Sequence, residues 1–292
     1  MPAGVIPALL TPFDEGGAVD FEALDRLLEH LVAEEVAGVF ITGTTGEFVS
    51  LSLDERTQVI RHSIKKIQGA ISALVHVGAY NTEITVTLAR FAQELNADAV
   101  GMLPPYFYGM DEEALYQHFG AVLKAVSLPV YLYNLPQCAG KEIPLTLIAR
   151  LKEEFSHLAG IKDSQGDIGR LWKTAQLGLP DFEVICGDDE STLDALKIGI
   201  RASVTSTGNA FPDAFQAVYD AYLSGDEIAA SAAQDRLTQL TVVCKAGCYV
   251  SMYKEALRLR GVDAGVVRPP QRQMTSEEIE ELRQGMTALK FI

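Results

Sequence analysis

Leu158-Ala159-Gly160-Ile161-Lys162-Asp163-Ser164 is the stretch around which the chain is best read. It opens as a short apolar run, the mark of a strand buried on both faces. It ends on one lysine, and the polar run Asp163-Ser164-Gln165-Gly166-Asp167 follows. A lysine at the mouth of an apolar strand admits two readings. Desolvated, its pKa falls and a neutral amine is left to attack a carbonyl. Otherwise it pairs with Asp163 or reaches water along its stem.

Outward from this strand, short apolar runs alternate with helical patterns. Strands read at residues 4–10, 38–41, 72–77, 99–103, 129–133, 158–162, 183–186 and 202–205. Helical spacing fills the intervals, with Asp20 and Asp111 as N-caps, and the eighth helix ends near Leu223. Eight such units in this length predict an α/β fold, a (β/α)8 TIM barrel with a C-terminal helical extension. A doubly wound open sheet would place a glycine-rich phosphate loop after the first strand, and Thr11-Pro12-Phe13 is nothing like one. Residues 1–224 are assigned to the barrel as catalytic domain. Residues 225–292 form the extension, read as helices over 226–240, 241–260 and 276–289.

Composition narrows the function classes. The 292 residues carry a formal net charge of -15 without a basic cluster, which argues against nucleic acid or an anionic membrane as partner. Four cysteines in a chain this long do not form a disulfide framework. Cys244 and Cys248 are four apart, as two packed thiols on one helix face would be. The start of the chain does not read as a signal peptide, and the cytosol is the expected compartment.

In such a barrel the chemistry stands at the carboxyl ends of the strands. Gly43-Thr44-Thr45-Gly46-Glu47 follows the second strand. Its glycines and hydroxyls suit a nest for a carboxylate or phosphate, or serve a tight turn. Tyr133 ends the fifth strand, where a phenol can relay protons or simply pack. Gly187-Asp188-Asp189-Glu190 ends the seventh, with Glu190 read as belonging to a helix N-terminus. Ser203-Val204-Thr205-Ser206-Thr207 ends the eighth, a row of hydroxyls suited to a polyol or to turn chemistry. With no Gly-x-Ser-x-Gly, no paired-histidine motif and no dinucleotide fingerprint, Lys162 is the leading nucleophile.

Three of these stretches resemble one family. Gly43-Thr44-Thr45-Gly46-Glu47, Tyr133-Asn134-Leu135-Pro136 and Gly160-Ile161-Lys162-Asp163-Ser164 stand in the order found in the dihydrodipicolinate synthase and N-acetylneuraminate lyase family of pyruvate-dependent class I aldolases. The resemblance spans essentially the whole chain. It implies a Schiff base between Lys162 and pyruvate or a 2-keto acid, with Tyr133 shuttling protons and Thr45 in the relay. It implies that Gly43, Thr44, Thr45 and the loop backbone hold the carboxylate. No metal and no organic cofactor is implied, since the lysine imine is the electron sink. A homotetramer, built as a dimer of dimers, is implied as well.

Departures from the family pattern bear on the substrate. The arginine with which dihydrodipicolinate synthases grip the second substrate's carboxylate falls on Cys138. The tyrosine lent across the dimer interface falls on Phe107, leaving Tyr106 or Tyr108 as substitutes. Sialic-acid lyases usually have a different run after the lysine. The run Tyr133-Asn134-Leu135-Pro136-Gln137-Cys138-Ala139-Gly140-Lys141 is similar to that of aldolases of 2-keto-3-deoxy sugar acids. The expectation is therefore a lyase releasing pyruvate and an aldehyde from such an acid. Ser164, Asp188, Asp189 and Ser206 would bind its hydroxyls, and Gly187 and Val204 are expected among the substrate-binding residues. Alternatives are dehydration of such an acid, condensation of pyruvate with aspartate semialdehyde, and a non-catalytic binding or regulatory paralogue.

Overall fold

The structure, a computed structural model, describes residues 3–245 and 250–292. Strands β1 (Gly4–Pro7), β2 (Gly38–Ile41), β3 (Ser72–His76), β4 (Ala99–Met102), β5 (Val130–Asn134), β6 (Leu158–Asp163), β7 (Glu183–Cys186) and β8 (Ala202–Thr205) form one parallel sheet. Their order is β1-β8-β7-β6-β5-β4-β3-β2. The remaining seam closes through Ala37 N–H to the Val5 carbonyl at 2.9 Å and Leu9 N–H to the Phe40 carbonyl at 3.0 Å. The sheet is a (β/α)8 barrel rather than an open doubly wound sheet.

Helices α1 (Phe21–Ala33), α2 (Leu53–Ile67), α3 (Thr82–Glu94) and α4 (Glu112–Ala125) follow the first four strands. Then come the one-turn α5 (Pro136–Ala139), α6 (Leu145–Glu154), α7 (Ile168–Ala175), α8 (Thr192–Lys197) and α9 (Pro212–Leu223). Asp20, Asn81, Asp111 and Asp167 cap α1, α3, α4 and α7 by accepting from the third residue on. Glu190 lies in a 3-10 turn ahead of α8, so the helix proper starts two residues later than its sequence suggests. The turn α5 was not anticipated, since four residues carry no periodicity to read.

Two apolar layers result. Ile6, Phe40, Leu74, Tyr131, Ile185 and Val204 belong to the cluster inside the barrel. The larger cluster lies between strands and helices, where full burial of one leucine contributes roughly 1.5–3 kcal/mol. The tail shares it. Helix α10 (Glu227–Val243) packs on α9, and α11 (Val250–Leu259) and α12 (Ser276–Ala288) complete the chain. Leu237, Leu240, Met252, Ala256 and Leu257 are continuous with the barrel's outer layer. Helix α10 runs three residues past the break expected at Leu240, because Leu240 and Thr241 are both buried. Cys244 is a free, buried thiol, whereas Cys248 lies outside the described residues.

Candidate active site

Strands β5 and β6 set the centre of the site. Their register pairs Tyr133 with Lys162, so both side chains stand together inside the barrel mouth. Lys162 Nζ lies 3.8 Å from the Tyr133 ring centroid and 5.0 Å from that of Phe40. Lys162 is 5% exposed, yet among the described residues its ammonium has no hydrogen-bond or ion-pair partner.

Asp163 does not supply one, because its carboxylate is committed elsewhere. Arg170 Nε donates to it at 2.7 Å, Asn134 Nδ2 at 2.9 Å and the Gln165 N–H at 3.0 Å. Arg170 also reaches Glu142 and the Ile143 carbonyl. The sequence neighbour that offered the plainest alternative reading of Lys162 is thus a structural anchor for the loop after β6.

The loop after β2 forms the facing wall. Its geometry differs from the expected glycine nest. The left-handed residues are Thr42 and Glu47, both at φ 53°, while Gly43 and Gly46 have no positive φ. Gly43 serves close approach instead, since a Cβ there would stand 2.9 Å from the Phe40 ring. Within the turn, Gly46 N–H donates to the Gly43 carbonyl and Glu47 N–H to that of Thr44. The N–H groups of Thr44 and Thr45 donate to nothing among the described residues. These two free donors and two hydroxyls are what an anion would need.

The hydroxyls take separate partners. Thr44 Oγ1 stands 3.4 Å from Tyr133 Oη, whereas Thr45 Oγ1 stands 2.6 Å from Ser206 Oγ. The neighbour of Tyr133 in this loop is therefore Thr44 and not Thr45, which was expected in the relay. Thr45 is turned to β8 by that short contact with Ser206.

Strands β7 and β8 close the pocket. Ser164 Oγ packs against Gly187 so closely that a Cβ there would lie 1.9 Å from it, which requires glycine at 187. That hydroxyl is buried without a partner among the described residues. Ser191 Oγ donates to Asp188 at 2.6 Å. Burial pushes the Asp189 carboxyl up to about 6 against the nearby hydroxyls of Thr207 and Thr205 and the charge of Lys162, while Asp188 adds to the rise.

Of the residues expected at the site, Lys162, Tyr133, Thr44, Thr45, Ser164, Gly187, Asp188, Asp189, Val204 and Ser206 all line one cavity of about 360 Å³. Gly43, also expected at the site, does not line it. Sequence reasoning missed Thr241 and Tyr253, which the tail brings to the same cavity, and Gln137, whose side chain donates to the Ser164 carbonyl at 2.9 Å. Cys138 is also on the wall. Lys162 is the cavity's only lysine or arginine among the described residues, whereas Asp188, Asp189 and Glu190 make one wall acidic.

Phe107 is 88% exposed and Tyr108 71%, their rings 5.0 Å apart edge to face, and Phe107 sits at φ 84°. Tyr106 is half-buried, edge-on to Phe48. None of the three lines the cavity of its own protomer.

Comparison with known proteins gives the family and the fold. The profile described as the dihydrodipicolinate synthetase family matches residues 1–289. A 4-hydroxy-tetrahydrodipicolinate synthase 2 of Streptomyces coelicolor is 33% identical over 285 residues, covering 97% of this chain and 94% of the relative. An uncharacterized DapA-like lyase of Halobacterium salinarum is 32% identical, with 99% of this chain and 94% of the relative covered. Among solved structures, YagE of E. coli, a prophage protein of the dihydrodipicolinic acid synthase family crystallised with pyruvate, superposes with a TM-score of 0.95. It is 28% identical, with 99% of each chain covered. The chain belongs to the dihydrodipicolinate synthetase family, whose members are pyruvate-dependent class I aldolases.

Proposed function

We propose that this enzyme cleaves a 2-keto-3-deoxy sugar acid to pyruvate and an aldehyde through an imine on Lys162. The carrying observation is the cavity itself, with one unpartnered lysine against Tyr133, free loop donors on one side and an acidic, hydroxyl-rich wall on the other. Lys162 Nζ adds to the C2 ketone, and loss of water gives the iminium. Thr44, Thr45 and their N–H groups hold the C1 carboxylate. Loss of the proton from the C4 hydroxyl breaks the C3–C4 bond, releases the aldehyde and leaves its electron pair as the enamine. Protonation at C3 and hydrolysis release pyruvate and restore the amine. Tyr133 carries protons between these positions, with Thr44 beside it. The imine is the electron sink, so the scheme calls on no metal or organic cofactor.

The choice of substrate rests on what the wall offers. A second carboxylate would meet Asp188, Asp189 and Glu190, with Cys138 where a gripping arginine would stand. A chain of hydroxyls would instead donate to those carboxylates and exchange hydrogen bonds with Ser164 and Ser206. Dehydration of the same acid through the same imine is a variant of this reading. The second reading, condensation of pyruvate with aspartate semialdehyde, is favoured by the relatives named 4-hydroxy-tetrahydrodipicolinate synthase. Pyruvate release from a panel of 2-keto-3-deoxy acids, run beside condensation with aspartate semialdehyde, decides between them. Turnover in the first assay is expected, and turnover only in the second would overturn this substrate.

Assembly and compartment are part of the proposal. Val49, Leu53, Tyr80, Phe107 and Tyr108 expose large apolar surface on the loops and helix start that follow β2, β3 and β4. A second copy covering it would begin the dimer of dimers expected of a homotetramer. No described helix is long and apolar enough to cross a membrane, and the proposed compartment is the cytosol.

A further inference from the structure

We propose that Lys254, in the C-terminal extension, is a positioning residue for the keto-acid carboxylate, acting through Glu47 on the turn that carries Thr44 and Thr45. The inference rests on the role proposed above for that turn.

Glu47 is the lever. Its backbone N–H closes the turn on the Thr44 carbonyl at 3.0 Å, and its side chain is fully buried. It holds φ 53° without being glycine, a conformation that persists only where the surroundings over-determine it. The surroundings that do so come from the tail. Lys254 Nζ donates to Glu47 Oε1 at 2.9 Å, to the Thr11 carbonyl at 2.7 Å and to the Val266 carbonyl at 2.6 Å. The Arg268 N–H donates to the second carboxylate oxygen at 3.3 Å. Thr11 in turn donates through its hydroxyl to the Gly46 carbonyl at 2.7 Å. One ammonium thus grips the turn twice, through Glu47 directly and through Thr11. Burial draws Lys254 down to about 8 against the pull of the Glu47 carboxylate, the mark of a charge kept inside by its partner.

The far end of the loop is held independently. Thr42, also at φ 53°, receives the His76 Nδ1–H at its carbonyl and donates its hydroxyl to the His76 carbonyl. Losing Lys254 frees one end of the loop only. The turn then loses its setting while Lys162, on the opposite wall, keeps its own. A displacement of an ångström in a substrate-holding group is enough to cost large factors in binding or rate.

Borohydride trapping of the pyruvate imine tests this, with the pyruvate concentration giving half-maximal labelling as readout. Lys254→Met is expected to raise that concentration about tenfold while labelling at saturation stays complete. Lys254→Arg, which keeps the charge, is expected to stay within about threefold of wild type. Lys254→Met also leaves the Glu47 charge buried and alone, so the double variant Glu47→Gln/Lys254→Met separates the effects. It is expected to melt closer to wild type and still to need about tenfold more pyruvate. A folded single or double variant that labels at the wild-type pyruvate concentration would overturn the proposal. So would loss of labelling at saturation with the half-maximal concentration unchanged, since Lys254 would then act on Lys162. A wild-type enzyme that takes no label at all is a separate result, and it would sink the imine reading itself.

Discussion

Lys162 and Lys254 are nearly equally buried, at 5% and 2% exposure, and each ammonium lies over an aromatic ring, but their hydrogen-bonding settings differ. Lys254 is fully subscribed, with a carboxylate and two backbone carbonyls on its three hydrogens. Lys152, 7% exposed, is satisfied in the same manner by the carbonyls of Ser156, Leu158 and Asp181. Lys162 has two aromatic faces and an open cavity. Burying an ammonium without partners costs several kcal/mol, and a cation–π contact returns only about 0.5–2 kcal/mol of it. The fold sets acceptors against that cost at Lys152 and Lys254, and none at Lys162 among the described residues. On the mechanism proposed above, burial alone does not distinguish the reactive lysine, whereas burial without hydrogen-bond acceptors does.

The most forceful way to break this contrast is to delete each amine. Lys162→Ala should lower turnover by on the order of 10⁴-fold, about 5.5 kcal/mol, with no loss of melting temperature. Lys254→Met should do the reverse. It should cost about 3–5 kcal/mol of stability in denaturant titration, because it strands the buried Glu47 charge, while kcat at saturating substrate stays near wild type. If the two variants lost activity and stability in like proportion, the contrast would be false.

Smaller changes sharpen it. Tyr133→Phe keeps the ring against Lys162 and removes the hydroxyl, and should slow turnover about 10²-fold with the imine still trapped. Asp189→Asn should have the smallest effect on turnover, since the amide oxygen still accepts from a substrate hydroxyl, and its signature is in stability against pH. The Asp189 value of about 6 lies above its ordinary 3.8, so the folded protein binds this proton more tightly than the unfolded chain. Its contribution to stability is fully present below about pH 4 and declines as pH rises through 6. The asparagine variant should melt above wild type at pH 8, and the gap should close towards pH 4. A gap that widened on acidification would reverse the assignment.

Much of this was legible in the chain, for local reasons. Eight apolar runs spaced by amphipathic helices allow few closed arrangements, and the caps at Asp20 and Asp111 are a matter of three residues each. Lys162, Tyr133 and the two threonines are readable because strand ends converge on one face of a barrel. What escaped depends on distance along the chain. Tyr253 and Thr241 reach the cavity from helices that read as an appendage, and no periodicity says where a tail lands. The positive φ in this loop falls on Thr42 and Glu47, beside the glycines, where His76 and Lys254 are their partners. The partner of Tyr133 is Thr44 because the Thr45 hydroxyl turns to Ser206, 161 positions away.

The central claim is that the unpartnered lysine, and not a satisfied one, does the chemistry. Borohydride reduction in the presence of pyruvate, followed by peptide mapping, tests it directly. The expected result is one adduct per chain, on the peptide bearing Lys162, with Lys152 and Lys254 unmodified. An unlabelled Lys162, or an adduct on either of the other two, would contradict it.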